Sequence, residues 1–250
     1  IDLVVWPETA VLFDIMDEEN KKLLLKKNLE NIDHLIIGGI RKEMVNKKKN
    51  IYNSLFLIDK TNNVISYHDK VKLVPFGEFI PFRNILMNYK ILLGGLDFSS
   101  GKKISVLKLK DNIKILPLIC YEVIFPRITK PSKNNYDLIV NITNDAWFGN
   151  SRGPYQHLAL AKIRAVLEGK FMARVANTGI SSIIDLNGNI KRKLSLGKHG
   201  IIEEKLVLYK NNTLYNYFGD SIFFIFLLML TLILIIINFK NGLRKKYESK

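Results

Sequence analysis

The sequence predicts a mixed α/β layered domain followed by one membrane-crossing helix. Short apolar runs bounded by Gly, Pro, Asn and Asp recur along most of the 250 residues and read as strands. Stretches with helical spacing of apolar residues share the same region, which is the pattern of layered α/β packing. Near the end, Ser221 to Phe239 carries no charge. With 48% apolar residues the chain has ample material for a core, and wholesale disorder is excluded.

Residues 2–6 read as a buried strand, with Pro7-Glu8-Thr9 turning at its end. Residues 17–31 are charged and place Leu23, Leu24, Leu25 and Leu29 at helical spacing, which predicts a surface helix. His34 to Gly39 reads as a second strand closing on glycines. A hairpin is expected from residues 53–59 and 64–68 about Asn62-Asn63, and another from 104–109 and 113–119 about Asp111-Asn112. Residues 137–142 read as a further buried strand. Gly153-Pro154 then opens a helix expected over 154–174, with Leu160, Ile163, Val166, Leu167 and Phe171 as its apolar positions. Residues 180–185 and Gly188-Asn189 predict one more hairpin. The domain limits expected are 1–210 for the layered domain, 211–220 for a linker, 221–239 for the membrane helix and 240–250 for a basic tail.

The net charge is +15. The lysines are scattered in short runs such as Lys47-Lys48-Lys49, without the interleaved aromatics of a nucleic-acid groove, so no nucleic-acid partner is expected. A solvated surface with some attraction to anionic lipid headgroups fits better. The apolar run at 221–239 has nearly the 20 residues a helix needs to cross a bilayer core. The alternative is a buried core helix of a soluble protein, and a run apolar on every face favours the membrane span over it. Tyr215, Tyr217 and Phe218 precede it, and Lys240, Arg244, Lys245 and Lys246 follow. By the positive-inside tendency the tail is cytoplasmic and the layered domain lies across the membrane. Position 1 is Ile and a strand begins at once, so the chain reads as a fragment or processed product with no signal peptide at its start.

Cys120 is the only cysteine, and it ends the apolar run Leu116 to Ile119. It has no partner for an intramolecular disulfide, which leaves packing, chance or chemistry. Glu8 and Lys70 also stand at the ends of apolar runs. A thiol attacks as thiolate and needs a base or a positive charge nearby. None of His34, His68, His157 or His199 is an obvious partner. A carboxylate raised by burial can act as the base, which suits Glu8. An ammonium beside the reacting carbonyl can stabilise an oxyanion, which suits Lys70. Taken singly, each also has an ordinary explanation: a surface carboxylate, a solvated lysine, a small buried hydrophobe. Spacing alone does not bring them together.

Their local sequences do more. Trp6-Pro7-Glu8-Thr9, then Lys70 eight residues before Glu78 within Val74-Pro75-Phe76-Gly77-Glu78-Phe79, then Ile119-Cys120-Tyr121-Glu122, in that order, resemble the nitrilase superfamily of carbon-nitrogen hydrolases. Leu73 to Pro81 and Asn144-Asp145-Ala146-Trp147-Phe148-Gly149 are similar within it to the apolipoprotein N-acyltransferases. The resemblance runs from residue 1 to about 190. It implies an αββα sandwich with Glu8 as base, Lys70 as oxyanion stabiliser and Cys120 as nucleophile. Glu78 and Glu122 match supporting acids, while Tyr121 and Trp147 match positions near an acyl or lipid pocket. It further implies several membrane helices upstream, so that the full-length protein is multi-pass in the inner membrane of a Gram-negative cell, with a periplasmic catalytic domain and a cytoplasmic C-terminus.

The reaction implied transfers a fatty acyl group from a phospholipid, through a Cys120 thioester, to the N-terminal amine of a diacylglyceryl apolipoprotein. Its partners are the phospholipid donor, the apolipoprotein acceptor and the bilayer. No cofactor and no metal are called for, since the sequence holds no ligand cluster with metal spacing and no phosphate loop. The alternative is a membrane-anchored amidase or nitrilase acting on small amides or nitriles, and a non-enzymatic anchored binding domain is a third reading. The loop from Val74 to Phe82, with Phe76, Phe79, Ile80 and Phe82, is suited either to dipping among acyl chains or to ordinary core packing.

Overall fold

The computed structural model describes residues 1–19, 31–45, 47–81, 97–126, 128, 136–209 and 212–248. The surface helix expected over 17–31 falls almost wholly outside them, as does Phe82. The chain divides into two units, residues 1–211 and 212–250.

The first unit holds two sheets. One has the order β1 (Leu3–Val5), β2 (His34–Val45), β3 (Lys48–Asp59), β4 (Val64–Asp69). The other runs β10 (Ile190–Leu194), β9 (Ser181–Ile184), β8 (Phe171–Asn177), β7 (Leu138–Asn144), β6 (Lys114–Ile119), β5 (Leu107–Lys108). β6, β7 and β8 are parallel, and the three expected hairpins are antiparallel pairs.

The period-2 alternation of strand side chains makes the layers. Ile36, Leu55 and Leu57 of the first sheet share one core with Ile115, Ile119, Leu138, Val140 and Ile142 of the second. Their neighbours Leu35, Ile37, Phe56 and Ile58 pack on the first sheet's other face with Val11 and Ile15. Leu116, Leu118, Ile139 and Met172 pack on the second sheet's other face, against Leu158, Ala161 and Ala165 of helix α1 (Gly153–Glu168). Strands covered on both faces read as unbroken apolar runs, which is why Leu138 to Ile142 lacks a polar alternation.

Four expectations need correction. β1 is a half-buried edge strand rather than a buried one, because it pairs with β2 alone. β2 does not close on its glycines but runs on to Val45. A Cβ on Gly38 would lie 2.6 Å from both the Glu8 Cα and the Pro7 oxygen, and one on Gly39 would lie 2.6 Å from Ile15. The glycines therefore let the chain that carries Glu8 pass close over the sheet.

Helix α1 ends at Glu168, six residues before the expected 174. Gly169 adopts a left-handed conformation (φ 61°, ψ 36°), and its N–H caps the carbonyls of Ala165 and Val166. Phe171 accordingly opens β8. The buried face of α1 is also not the expected one. Pro154, His157, Leu158, Ala161, Arg164, Ala165 and Glu168 are buried, whereas Leu160, Ile163 and Val166 are exposed. Small alanines allow close approach to the sheet, and the polar residues on that face find buried partners.

In the second unit, α2 (Leu214–Phe218) is capped by Thr213, whose hydroxyl accepts the Asn216 N–H at 3.2 Å. Helix α3 (Ser221–Glu248) follows. Its first 21 residues, Ser221–Asn241, are long and apolar enough to cross a membrane, about 32 Å at 1.5 Å per residue.

Candidate active site

The site collects at the ends of β1, β4 and β6. Glu8 follows β1, in the turn that Gly38 admits. Lys70 is the residue after β4, held by its N–H to the Asn53 oxygen at 2.9 Å. Glu78 stands in the loop after Lys70, where its Oε2 accepts the Val74 N–H at 2.8 Å. Cys120 begins a 3-10 turn directly after β6. Its φ is +49°, a left-handed conformation costly for any residue with a Cβ, of order 1–3 kcal/mol.

These side chains are buried together. The Lys70 Nζ donates to Glu78 Oε1 at 2.9 Å and to Glu8 Oε1 at 3.2 Å. The Asn53 amide donates to the same two oxygens, at 2.9 and 2.7 Å. The other Glu8 oxygen accepts the Asn144 N–H at 2.7 Å. Each carboxylate is thus oriented by a backbone N–H and shares one ammonium and one amide with its neighbour. A buried ammonium with two carboxylates is strongly held, because loss of either partner strands a charge.

Burial disfavours the Lys70 ammonium, but Glu8, the Cys120 sulfur and Glu78 overcome this and hold its pKa above the ordinary lysine value. Lys70 is therefore a permanent cation and a donor, not a proton carrier. The Cys120 thiol is pushed up to about 11, first by burial and then by the charge of Glu8. Lys70, the Thr143 hydroxyl and the Asn144 backbone favour the thiolate and pull the other way. At neutral pH the sulfur rests as thiol, so any attack by it requires loss of its proton.

Glu122 lies away from that cluster and links two of its carriers. Its Oε1 accepts the Val71 N–H at 2.6 Å and the Lys72 N–H at 3.3 Å, and its Oε2 accepts the Ile119 N–H at 2.8 Å. His68 lies 3.1 Å from Oε2. Although burial opposes it, the interactions with His68, Ile119 and Val71 hold this carboxyl below the usual carboxylate range. Glu122 thereby joins the chain after Lys70 to the turn of Cys120. Tyr121 is half-buried, with its ring edge-on to Phe125 at 4.8 Å. Trp147 is exposed, in the 3-10 turn that follows Asn144. Of the loop expected to meet lipid or core, Phe76 is exposed and Ile80 buried.

Sequence reasoning missed Asn53, Thr143, Asp145, His157 and Arg174. Asn53 lies mid-strand, where nothing local marks it. His157 looked unconnected because its partners are 12, 17 and 37 residues away. A buried face containing His157, Arg164 and Glu168 was the available signal, hidden by the more obvious apolar stripe.

The carbon-nitrogen hydrolase pattern matches residues 1–209, the whole of the sandwich. The chain belongs to the carbon-nitrogen hydrolase family. It is 40% identical over 245 residues to the apolipoprotein N-acyltransferase of Rickettsia prowazekii, which covers 94% of this chain and 47% of that protein. It is 40% identical over 212 residues to the enzyme of the same name from Rhizobium rhizogenes, 82% of this chain and 39% of the other. The chain thus spans less than half the length of these curated relatives. Among solved structures, Saccharomyces cerevisiae Nit3 of the nitrilase superfamily superposes with a TM-score of 0.58 at 20% identity, over 79% of this chain and 74% of Nit3. An amidase from Nesterenkonia gives 0.53 at 17% identity, over 78% and 73%. These two show the nitrilase-like sandwich and nothing further.

Proposed function

We propose that this member of the carbon-nitrogen hydrolase family is the catalytic part of an apolipoprotein N-acyltransferase. The observation that carries this reading is the extent of the likeness to the Rickettsia prowazekii enzyme, which takes in 94% of the chain and so reaches beyond the sandwich into the apolar helix. A small-amide hydrolase has no need of that helix.

In this reading Glu8 takes the proton of Cys120 as the sulfur attacks the ester carbonyl of a phospholipid. The C–O bond breaks, the acyl group stays on sulfur, and Glu8 returns the proton to the departing lysophospholipid oxygen. The α-amine of a diacylglyceryl cysteine then attacks the thioester, the C–S bond breaks, and the amine proton passes through Glu8 to the thiolate. Lys70 donates to the oxyanion in both steps. Glu78 holds Lys70, and Glu122 fixes the turn of Cys120. Exposed Phe76 and Trp147, on loops that leave the site, suit a substrate with acyl chains. The partners are then the phospholipid donor, the apolipoprotein acceptor and the bilayer. The basic residues after Asn238 favour a cytoplasmic tail and a periplasmic site in the inner membrane of a Gram-negative cell.

The test is an incubation of the membrane-embedded protein with phosphatidylethanolamine vesicles and a diacylglyceryl-cysteine peptide. A gain of one acyl chain on the peptide's amine is expected. Release of ammonia from simple amides, without acylation of the peptide, would favour the hydrolase instead.

A further inference from the structure

Beneath the nucleophile lies a second buried polar cluster that the acyl-transfer scheme above does not use. Ile119 of β6 is paired in register with Ile142 of β7, so the two strands deliver Cys120 and Thr143 to the same end of the sheet. The Thr143 hydroxyl neighbours the Cys120 sulfur and favours its thiolate form, and it donates to Asp145 Oδ1 at 3.1 Å. Asp145 is held independently of it. Arg174 donates to Oδ2 at 2.9 Å, and the His157 Nδ1 lies 2.9 Å from Oδ1. The other His157 nitrogen lies 3.3 Å from the Cys120 carbonyl oxygen, and Arg174 also donates to Asn141 Oδ1 at 2.5 Å. Thr143, Asp145, His157 and Arg174 are all buried. A side chain at Gly179 would overlap Asp145, with a Cβ 2.7 Å from its Cγ, so the fold keeps space for that carboxylate.

A hydroxyl has one proton and two lone pairs. While sulfur carries its proton, the thiol can donate to the Thr143 oxygen, and the Thr143 proton is directed to Asp145. Once the sulfur is a thiolate it only accepts. The hydroxyl then turns to it, and Asp145 keeps its bonds to Arg174 and His157. We propose that Thr143 is a further catalytic residue, supplying a hydrogen bond to Cys120 Sγ that forms as the thiolate forms, with Asp145, His157 and Arg174 as its positioning residues. No bond is made or broken in this turn; the sulfur's proton goes to Glu8. The proposal rests on the reading of Cys120 as nucleophile.

The experiment compares Thr143→Val, which keeps the shape, with Thr143→Ser, which keeps the hydroxyl. The rate of Cys120 alkylation by iodoacetamide at pH 9 is measured alongside the yield of acyl-thioester from phosphatidylethanolamine vesicles. Thr143→Val is expected to be alkylated roughly three- to tenfold more slowly, since a hydrogen bond to a charged acceptor shifts the thiolate fraction and higher intrinsic nucleophilicity returns part of the loss. Thr143→Ser should stay within about twofold of wild type. Equal rates for Thr143→Val and wild type, or equal losses for the Ser and Val variants, would overturn the proposal. If Thr143→Val does not fold, Thr143→Ala against Thr143→Ser makes the same comparison. Absence of acyl-thioester in the wild type would defeat the acyltransferase reading, and the alkylation rates would still decide the role of the hydroxyl.

Discussion

In the proposed mechanism Cys120 is a nucleophile kept protonated at rest. Burial and the charge of Glu8 push its thiol up to about 11, so it is unlike the cysteines that rest as thiolate beside a histidine. A neutral sulfur is less open to oxidation than a thiolate, and any attack by it is coupled to loss of its proton. This yields a pair of opposite effects for Glu8→Gln. Removing the negative charge of Glu8 lifts its repulsion of the thiolate while Lys70 stays near the sulfur, so the midpoint of the pH profile for iodoacetamide alkylation should fall below about 11. The proposed acyl transfer should nonetheless drop by on the order of 10²–10⁴, because the proposed base is gone. A midpoint that stays or rises in that variant would contradict the electrostatic account. Lys70→Met leaves Glu8 and Glu78 facing each other with only the Asn53 amide between them. It should cost on the order of 10²–10³ in turnover where the oxyanion is stabilised.

Positions in the site are fixed at the level of elements, by contacts between segments far apart in sequence. Glu122 gathers the Val71 and Lys72 N–H groups and the Ile119 N–H on one carboxylate. Its folded pKa is depressed, so the stability it supplies is complete above the unfolded value of about 4.3 and is lost as pH falls through the folded value. Thermal melts of wild type and Glu122→Gln should therefore differ most near neutral pH and converge below pH 4. A constant gap between them would contradict this. Gly38→Ala should destabilise by about 1–3 kcal/mol, since the new Cβ meets backbone that cannot yield. The strands and hairpins were legible because both faces of each sheet are apolar and their turns are Asn-rich. The end of α1 was missed because its apolar spacing continued past Gly169 into β8, and a left-handed cap outweighs such spacing. The convergence of Glu8, Lys70 and Cys120 was legible only through their local motifs. Asn53, Thr143, Asp145, His157 and Arg174 were not legible, because each contributes through partners across the sheet or the helix.

At the scale of the whole molecule the chain joins a family sandwich to an apolar helix. After Phe239 the sequence carries Lys240, Arg244, Lys245 and Lys246. In spheroplasts a protease added from outside should leave the C-terminal tail intact, as positive-inside orientation requires. Cleavage of the tail would reverse the proposed topology and leave the proposed acyltransferase without access to exported lipoproteins. The central claim is that acyl groups pass through Cys120. Its most direct measurement is peptide mass spectrometry of the protein quenched in acid after incubation with a phospholipid of defined chain length and no amine acceptor. The peptide containing Cys120 should gain the mass of that acyl chain and lose it on treatment with hydroxylamine. An acyl chain on another residue, or undiminished acyl transfer by Cys120→Ala, would contradict the account.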